Sequence, residues 1–278
     1  MSAAKIHLVD QDFLPKHSEK CNLLIRISDE KLSYSVLNQN DKQLKALVET
    51  AINPTLQGLK AAIAMEPLLQ ASYKKVKISI ETSKFTFIPA EIYSEVDLAS
   101  YAIFTYPLAK STILVRSILS AGIKNISAID EDLLDYLLAY FNDPLIVNQV
   151  NPLTEAALHL YPKSRQNRLF LQFNNSSFEA LLIKTGQIEH YNLFKIETSE
   201  EFNYFLLAII NEFELSYANT DIVISGEITH DNDYCSKIQK YFSAISFADT
   251  SVLMRRTERF QHITAHQFFS LFSLNLCE

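Results

Sequence analysis

The sharpest chemical spacing in the chain is His262-Ile-Thr-Ala-His266, two imidazoles four residues apart. On a helix that spacing puts both rings on one face. A zinc protease would carry Glu beside the first, but Ile263 stands there, so solvated or capping histidines are the simpler reading. His230-Asp-Asn-Asp233 gathers metal-ligand types in one run, yet Asp231 or Asn232 ahead of a helical segment reads first as a cap. Asp130-Glu-Asp132 likewise complements the positive end of a helix. Cys21, Cys235 and Cys277 are odd in number, far apart and outside any nucleophile motif. No Gly-x-Ser-x-Gly elbow, P-loop or Gly-x-Gly-x-x-Gly run occurs. Only four glycines are present, which leaves little material for loops that approach a phosphate closely.

These residues sit in a chain of 278, long for one domain and natural for two. Hydrophobic residues make up 48% and charged residues 21%, enough for a full core and against global disorder. The net charge of -7 gives no overall attraction to nucleic acid, and the tight basic pairs Lys74-Lys75 and Arg255-Arg256 read as solvated turns. No apolar run approaches the ~18 residues of a spanning helix, and Met1 to Lys20 lacks a signal-like apolar stretch. Unpaired thiols point to a reducing, cytoplasmic setting.

The elements that position the chemistry are legible by period. Residues 1–20 are mixed and polar and read as a loosely attached arm. Asn22-Leu-Leu-Ile-Arg-Ile-Ser28 is an apolar run of strand length, and Leu32, Tyr34 and Val36 alternate with polar residues after a turn at Asp29-Glu30. Gln43 to Val48 is a weaker third strand. Pro54 opens a helix to about Gln70 with Leu56, Leu59, Ile63 and Leu68 at helical spacing, and Val76 to Ile80 alternates as a strand. The same order recurs from Asn167: strand, polar turn Asn174-Asn-Ser-Ser177, strand, Thr185-Gly186 turn, strand, helix capped at Thr198 or Ser199 with Glu201 placed for a capping box, and strand Ile222 to Gly226. A constant offset of 146 aligns the two segments, matching Leu23 with Leu169 and Leu59 with Phe205.

Elsewhere, Phe85-Thr-Phe-Ile-Pro89 ends a strand, helices lie near 130–142 and 152–160, and the stretch between is loosely patterned. Residues 231–242 read as a helix, 244–248 as a short strand and 266–274 as an aromatic helix, in which Phe268, Phe269 and Phe272 suit a core, with a docking surface the alternative. The polar, Pro-containing stretch 162–167 is the expected lobe boundary, giving an arm over 1–20, one lobe over 21–162 and another over 163–278.

Three strands, helix, strand, helix, strand, helix is the ribonuclease-H-like order, and two tandem copies resemble the actin, sugar-kinase and chaperone-ATPase superfamily. Within it the chain is similar to an uncharacterised bacterial family of unknown function with an actin-like ATPase fold. The likeness rests on the Phe85–Pro89 strand end, the paired hairpins, the Ile224-Ser-Gly226 strand and the Phe268-to-Phe272 tail. The resemblance implies an α/β chain of two lobes, each a mixed sheet flanked by helices.

It also implies where nucleotide chemistry would lie. Active members carry an Asp-x-Gly-type turn in each lobe's first hairpin, the carboxylate holding Mg²⁺ and the glycine letting backbone N–H groups close on phosphates. The matching turns here are Ser28-Asp29-Glu30-Lys31 and Asn174-Asn175-Ser176-Ser177. Neither has glycine and the second has no acid. Gly226 and Glu227 fall where the superfamily has a glycine-rich adenosine contact, although a lone glycine at a strand end is first a turn residue. The expectation is a non-catalytic binding or scaffold module with no cofactor, no metal site, no catalytic residue and an unidentified protein partner. The alternative is an ATP-binding switch or ATPase that uses Asp29 or Glu30 on a divergent loop.

Overall fold

The computed structural model describes residues 4–107, 109–161 and 166–278. They form two units, Met1–Glu155 with Ser251–Ile263 and Leu271–Glu278, and Ala156–Thr250 with Thr264–Ser270. Residues 162–165 of the expected boundary lie outside the described residues. The return of Leu271–Glu278 to the first unit is a feature that a tandem division at 162 does not include.

The first unit is built on a six-stranded sheet in the order β1-β4-β3-β2-β5-β9, with β1 Ala4–Val9, β2 Cys21–Ile27, β3 Lys31–Asn38, β4 Leu44–Ala51, β5 Lys75–Ile80 and β9 Leu145–Asn148. Within the expected arm, β1 pairs antiparallel with β4, with exposed His7 between the half-buried Ile6 and Leu8. β2 is buried almost throughout, as its Leu23-Leu-Ile25 run, apolar on both faces, requires of a central strand. Leu23, Ile25 and Ile27 face helices α1 (Leu56–Met65) and α3 (Glu131–Tyr140), which contribute Leu59, Ile63, Leu134 and Leu137 to the core. Thr55 and Asp130 cap these helices through their side chains. On β5, Lys77 is buried, and its Nζ donates to the carbonyls of Asn275, at 2.9 Å, and Cys277. Asn22 Nδ2 donates to Asn275 Oδ1 at 3.0 Å. These bonds tie the C-terminal segment to the sheet, and burial holds the Lys77 pKa below its ordinary value.

A second, three-stranded antiparallel sheet in the first unit has the order β6-β8-β7, with β6 Phe85–Pro89, β7 Ser111–Ile118 and β8 Ile123–Asp130. The short helix α2 (Leu98–Ala102) packs on β6 and β8. β7, β8 and β9 lie in the stretch that showed no clear period. The helix α4 spans Val150–Leu160.

The second unit has a five-stranded sheet, β12-β11-β10-β13-β14, formed by β10 Asn167–Phe173, β11 Ser177–Lys184, β12 Gln187–Lys195, β13 Thr220–Gly226 and β14 Ile245–Phe247. β10 and β13 are central and largely buried, whereas edge strand β12 is exposed in alternation. Helix α5 (Ser199–Glu212) starts with the Thr198–Glu201 capping box, and α6 (Asp233–Gln239) is capped by Asn232. The core is aromatic: Phe202 lies 4.9 Å, edge-on, from Phe178 and 5.2 Å from Phe173. The last α-helix, α7 (Phe269–Ser273), runs from this unit into the Leu271–Glu278 segment of the first and is followed by the 3-10 segment Leu274–Leu276; Phe268, Phe269 and Phe272 are buried.

Each unit thus contains the same five elements. β2–β3 and β10–β11 are antiparallel, β2–β5 and β10–β13 parallel, and β3–β4 and β11–β12 antiparallel. Leu23 pairs with Val76 and Leu169 with Ile222, both at the expected offset of 146. The offset is not constant, however. The helix caps Thr55 and Thr198 stand 143 apart, so Leu59 corresponds to Phe202 rather than Phe205. The reason is turn length. Residues 39–43 join β3 to β4, whereas Thr185 (φ 50°) and Gly186 (φ 79°) alone join β11 to β12 in a tight left-handed turn. A surface turn lengthens with small effect on the free energy. Phe202 is fully buried and Phe205 only partly, against Phe194. Phe202→Ala should therefore cost about 3–5 kcal/mol in urea denaturation, and Phe205→Ala distinctly less.

Candidate functional site

In sheets with parallel strands, ligands meet the protein at the carboxyl ends of those strands. In the first unit these are the ends of β2, β5 and β9. The β2–β3 turn closes on itself: Ser28 N–H donates to Lys31 O at 3.0 Å and Lys31 N–H to Ser28 Oγ at 3.2 Å. Asp29 and Glu30 project from it, exposed. No residue from 28 to 31 has positive φ, so the turn lacks the alternating right- and left-handed pair that aims successive N–H groups at an anion.

The β10–β11 turn repeats this geometry. Asn174 N–H donates to Ser177 O at 2.8 Å, and residues 174–177 all keep negative φ. Asn174 is half-buried, while Asn175 and Ser176 are exposed. The Asn174 side chain turns inward, Nδ2 donating to Ser177 Oγ at 3.2 Å and Glu179 Oε1 at 3.5 Å. Ser28, Asp29 and Glu30 stay together in one turn, as do Asn174, Asn175 and Ser176 in the other.

Gly226 and Glu227 join the second group through the sheet. Gly226 pairs with Phe173, and Glu227 N–H donates to Phe173 O at 2.9 Å. The glycine is obligatory for a packing reason: its φ is +82°, and an added Cβ would lie 1.9 Å from Phe173 O. In the first unit Glu81 N–H donates to Ile27 O at 2.9 Å, the equivalent closure, and Arg26 Nη2 donates to Glu81 Oε2 at 2.7 Å.

Polar groups that sequence reading did not single out stand behind these turns. Glu179 is fully buried and accepts from Tyr191 OH as well as from Asn174. In the first unit a buried Glu49 accepts from Ser33 Oγ at 3.3 Å and pairs with Lys31 at 3.6 Å. At the end of β9, the Gln149 side chain both accepts from Thr82 N–H and donates to Thr82 O, each at 3.0 Å. Asn148 Oδ1 accepts from Val150 N–H. The run Leu145–Asn148 between Pro144 and Pro152 was the one available signal for this strand. These partners engage Glu179, Glu49 and Gln149 inside the protein, and neither turn carries the glycine of an Asp-x-Gly turn.

The remaining candidates resolve as structure. His262 lies in a turn before the 3-10 segment Ala265–Phe268, so the two histidines do not share a helix face. His266 Nε2 sits 2.9 Å from Ile228 O, with its ring 4.1 Å from Phe247. Burial, with a smaller contribution from His230, pushes its pKa down. Asp130 and Asn232 are caps, and all three cysteines are buried and unpaired. Among the described residues, no three or more His, Cys, Asp or Glu side chains are gathered to hold a metal, and no helix is long and apolar enough to cross a membrane.

Residues 10–245 match the family described as Protein of unknown function (DUF3822), and the chain belongs to that family. No curated protein matches it. A Bacteroides thetaiotaomicron VPI-5482 protein with actin-like ATPase fold and unknown function superposes with a TM-score of 0.80 at 18% identity, covering 96% of this chain and 99% of that one. A chain of the PilM-PilN type IV pilus biogenesis complex gives 0.60 at 14% identity, covering 92% and 96%. The ethanolamine utilization protein EutJ from Carboxydothermus hydrogenoformans gives 0.52 at 7%, covering 98% and 93%. The fold is therefore the actin-like ATPase fold, two mixed sheets flanked by helices.

Two outcomes check this geometry. Gly226→Ala should lose about 3 kcal/mol in chemical denaturation, from left-handed strain and the clash with Phe173 O. His266 has a folded pKa below the unfolded ~6.5, so the unfolded state takes up its proton first and stability falls as pH drops below that value. His266→Gln should lessen the loss in urea midpoint between neutral pH and pH ~5.

Proposed function

We propose that this member of a family of unknown function is a non-catalytic actin-like protein, a binding or scaffold module that does not hydrolyse ATP. The observation that carries the reading is the pair of first-hairpin turns. Both keep negative φ and lack glycine, and the second presents Asn174 and Asn175 where a carboxylate would hold a metal. Amides bring dipoles and no net charge to a divalent cation. Phosphoryl transfer depends mostly on electrostatic stabilisation and positioning, and both turns withhold it. Ser28, Asp29, Glu30, Asn174, Asn175, Ser176, Gly226 and Glu227 are on this reading the remnant of a nucleotide site.

The PilM neighbour is described in a complex with PilN, which supports protein binding as a use for this fold; fold likeness alone does not transfer the partner. The repeated five-element plan supports internal duplication, with an arm over 1–20 that pairs through Ala4–Val9 and two lobes divided near 162. The three reduced thiols favour a bacterial cytoplasm.

The test is thermal melting with and without millimolar Mg-ATP. A ligand at about 100 times its Kd adds roughly 2.7 kcal/mol, on the order of 5–10 °C for a chain of this size. The expected shift is none. A shift of that size, abolished by Asp29→Ala, would overturn the reading in favour of an ATP switch on the Asp29 turn.

A further inference from the structure

The helical run 95–105 of the first unit, three consecutive short segments, packs on the three-stranded sheet with Leu98, Tyr101, Ala102 and Thr105 inward, at helical spacing. A surface helix of this kind turns charged or polar residues outward. Here the outward stripe is Val96, Ala99 and Ile103, and Phe104 stands beside it. Val96 is 93% exposed and Ile103 68%. Ile92 and Tyr106 extend the apolar surface, and Tyr106 holds φ at +48°, a strained conformation for a bulky residue. An apolar surface of this density on a soluble chain marks an interaction site.

The charges around it select the occupant. Residues 91–106 carry Glu91, Glu95 and Asp97, all exposed, and no Lys, Arg or His. None of the three carboxylates enters an ion pair among the described residues. A second copy would bring a like-charged face against this one, and an anionic membrane or nucleic acid would be repelled. We propose that the outer face of residues 91–106 is a docking surface for a basic amphipathic segment of another protein, whose apolar stripe covers Val96, Ile103 and Phe104 and whose Lys or Arg side chains meet the three acids. The inference deepens the binding-module reading by naming the partner's chemistry. Its test involves no nucleotide, so failure here and failure of the ATP reading are separate results.

The experiment selects a displayed random-peptide library on the full chain and measures the enriched peptides by fluorescence anisotropy. The expected peptides are rich in Lys or Arg and apolar residues, and bind more weakly as salt is raised. Their affinity should fall about tenfold or more for Val96→Ser/Ile103→Ser/Phe104→Ser. It should fall again for Glu95→Lys/Asp97→Lys, which leaves the apolar stripe whole. Unchanged melting curves establish that these exposed substitutions leave the fold intact. The proposal is overturned by no enrichment, by enriched peptides without basic excess, or by peptides that bind the serine variant as tightly. It is equally overturned by a dimer in sedimentation that the serine substitutions disperse.

Discussion

The structure depends on one interaction made twice, the parallel pairing of each unit's first hairpin strand with the strand that follows its helix. β2 lies against β5 and β10 against β13, in the same register, and each pair closes with one bond, from Glu81 N–H to Ile27 O and from Glu227 N–H to Phe173 O. A parallel pair needs a crossover, so the helix and its buried face follow from it. The pairing also sets the two first-hairpin turns at the carboxyl edge of the sheets. It brings the backbone at residue 226 so near Phe173 O that only glycine fits there.

The polar groups beneath these turns follow from the same constraint. A charge removed from water needs a partner close by. Glu179 has Asn174 and Tyr191, Glu49 has Ser33 and Lys31, and Glu81 has Arg26. These acids are held by neighbours within their own units, and what reaches solvent is Asp29 and Glu30 on one turn and uncharged Asn175 and Ser176 on the other.

Much of this was legible in sequence because it rests on period and local capping. The apolar run from Asn22 and the Thr198–Glu201 pair each state a local preference that the fold keeps; the alternation at Leu32, Tyr34 and Val36 gives the strand but not its burial, because Ser33 and Ser35 on the other face are buried as well. β7 and β8 were not legible: Ile113, Leu114 and Val115 run together without alternation, and their strand identity comes from pairing with β8. The offset of 146 held where strand pairing fixes the register and failed at the helix, since turn length between β3 and β4 leaves no periodic trace. The turns Ser28–Lys31 and Asn174–Ser177 could be read as candidates because each follows its unit's first strand, where the resemblance puts a phosphate turn, and their missing glycine was legible in the same residues. The inward bonds of Glu179, Gln149 and Lys77 could not, since each joins residues distant in sequence or depends on which face of a strand is covered.

The central claim is that both first-hairpin turns are closed structural turns and not phosphate cradles. Its most direct test follows the backbone amide resonances of Asp29, Glu30, Asn175 and Ser176 in isotope-labelled protein as Mg-ATP is raised through the millimolar range. The account predicts that these four amides keep their positions. Saturable shifts at them, lost on removing Mg²⁺, would contradict it.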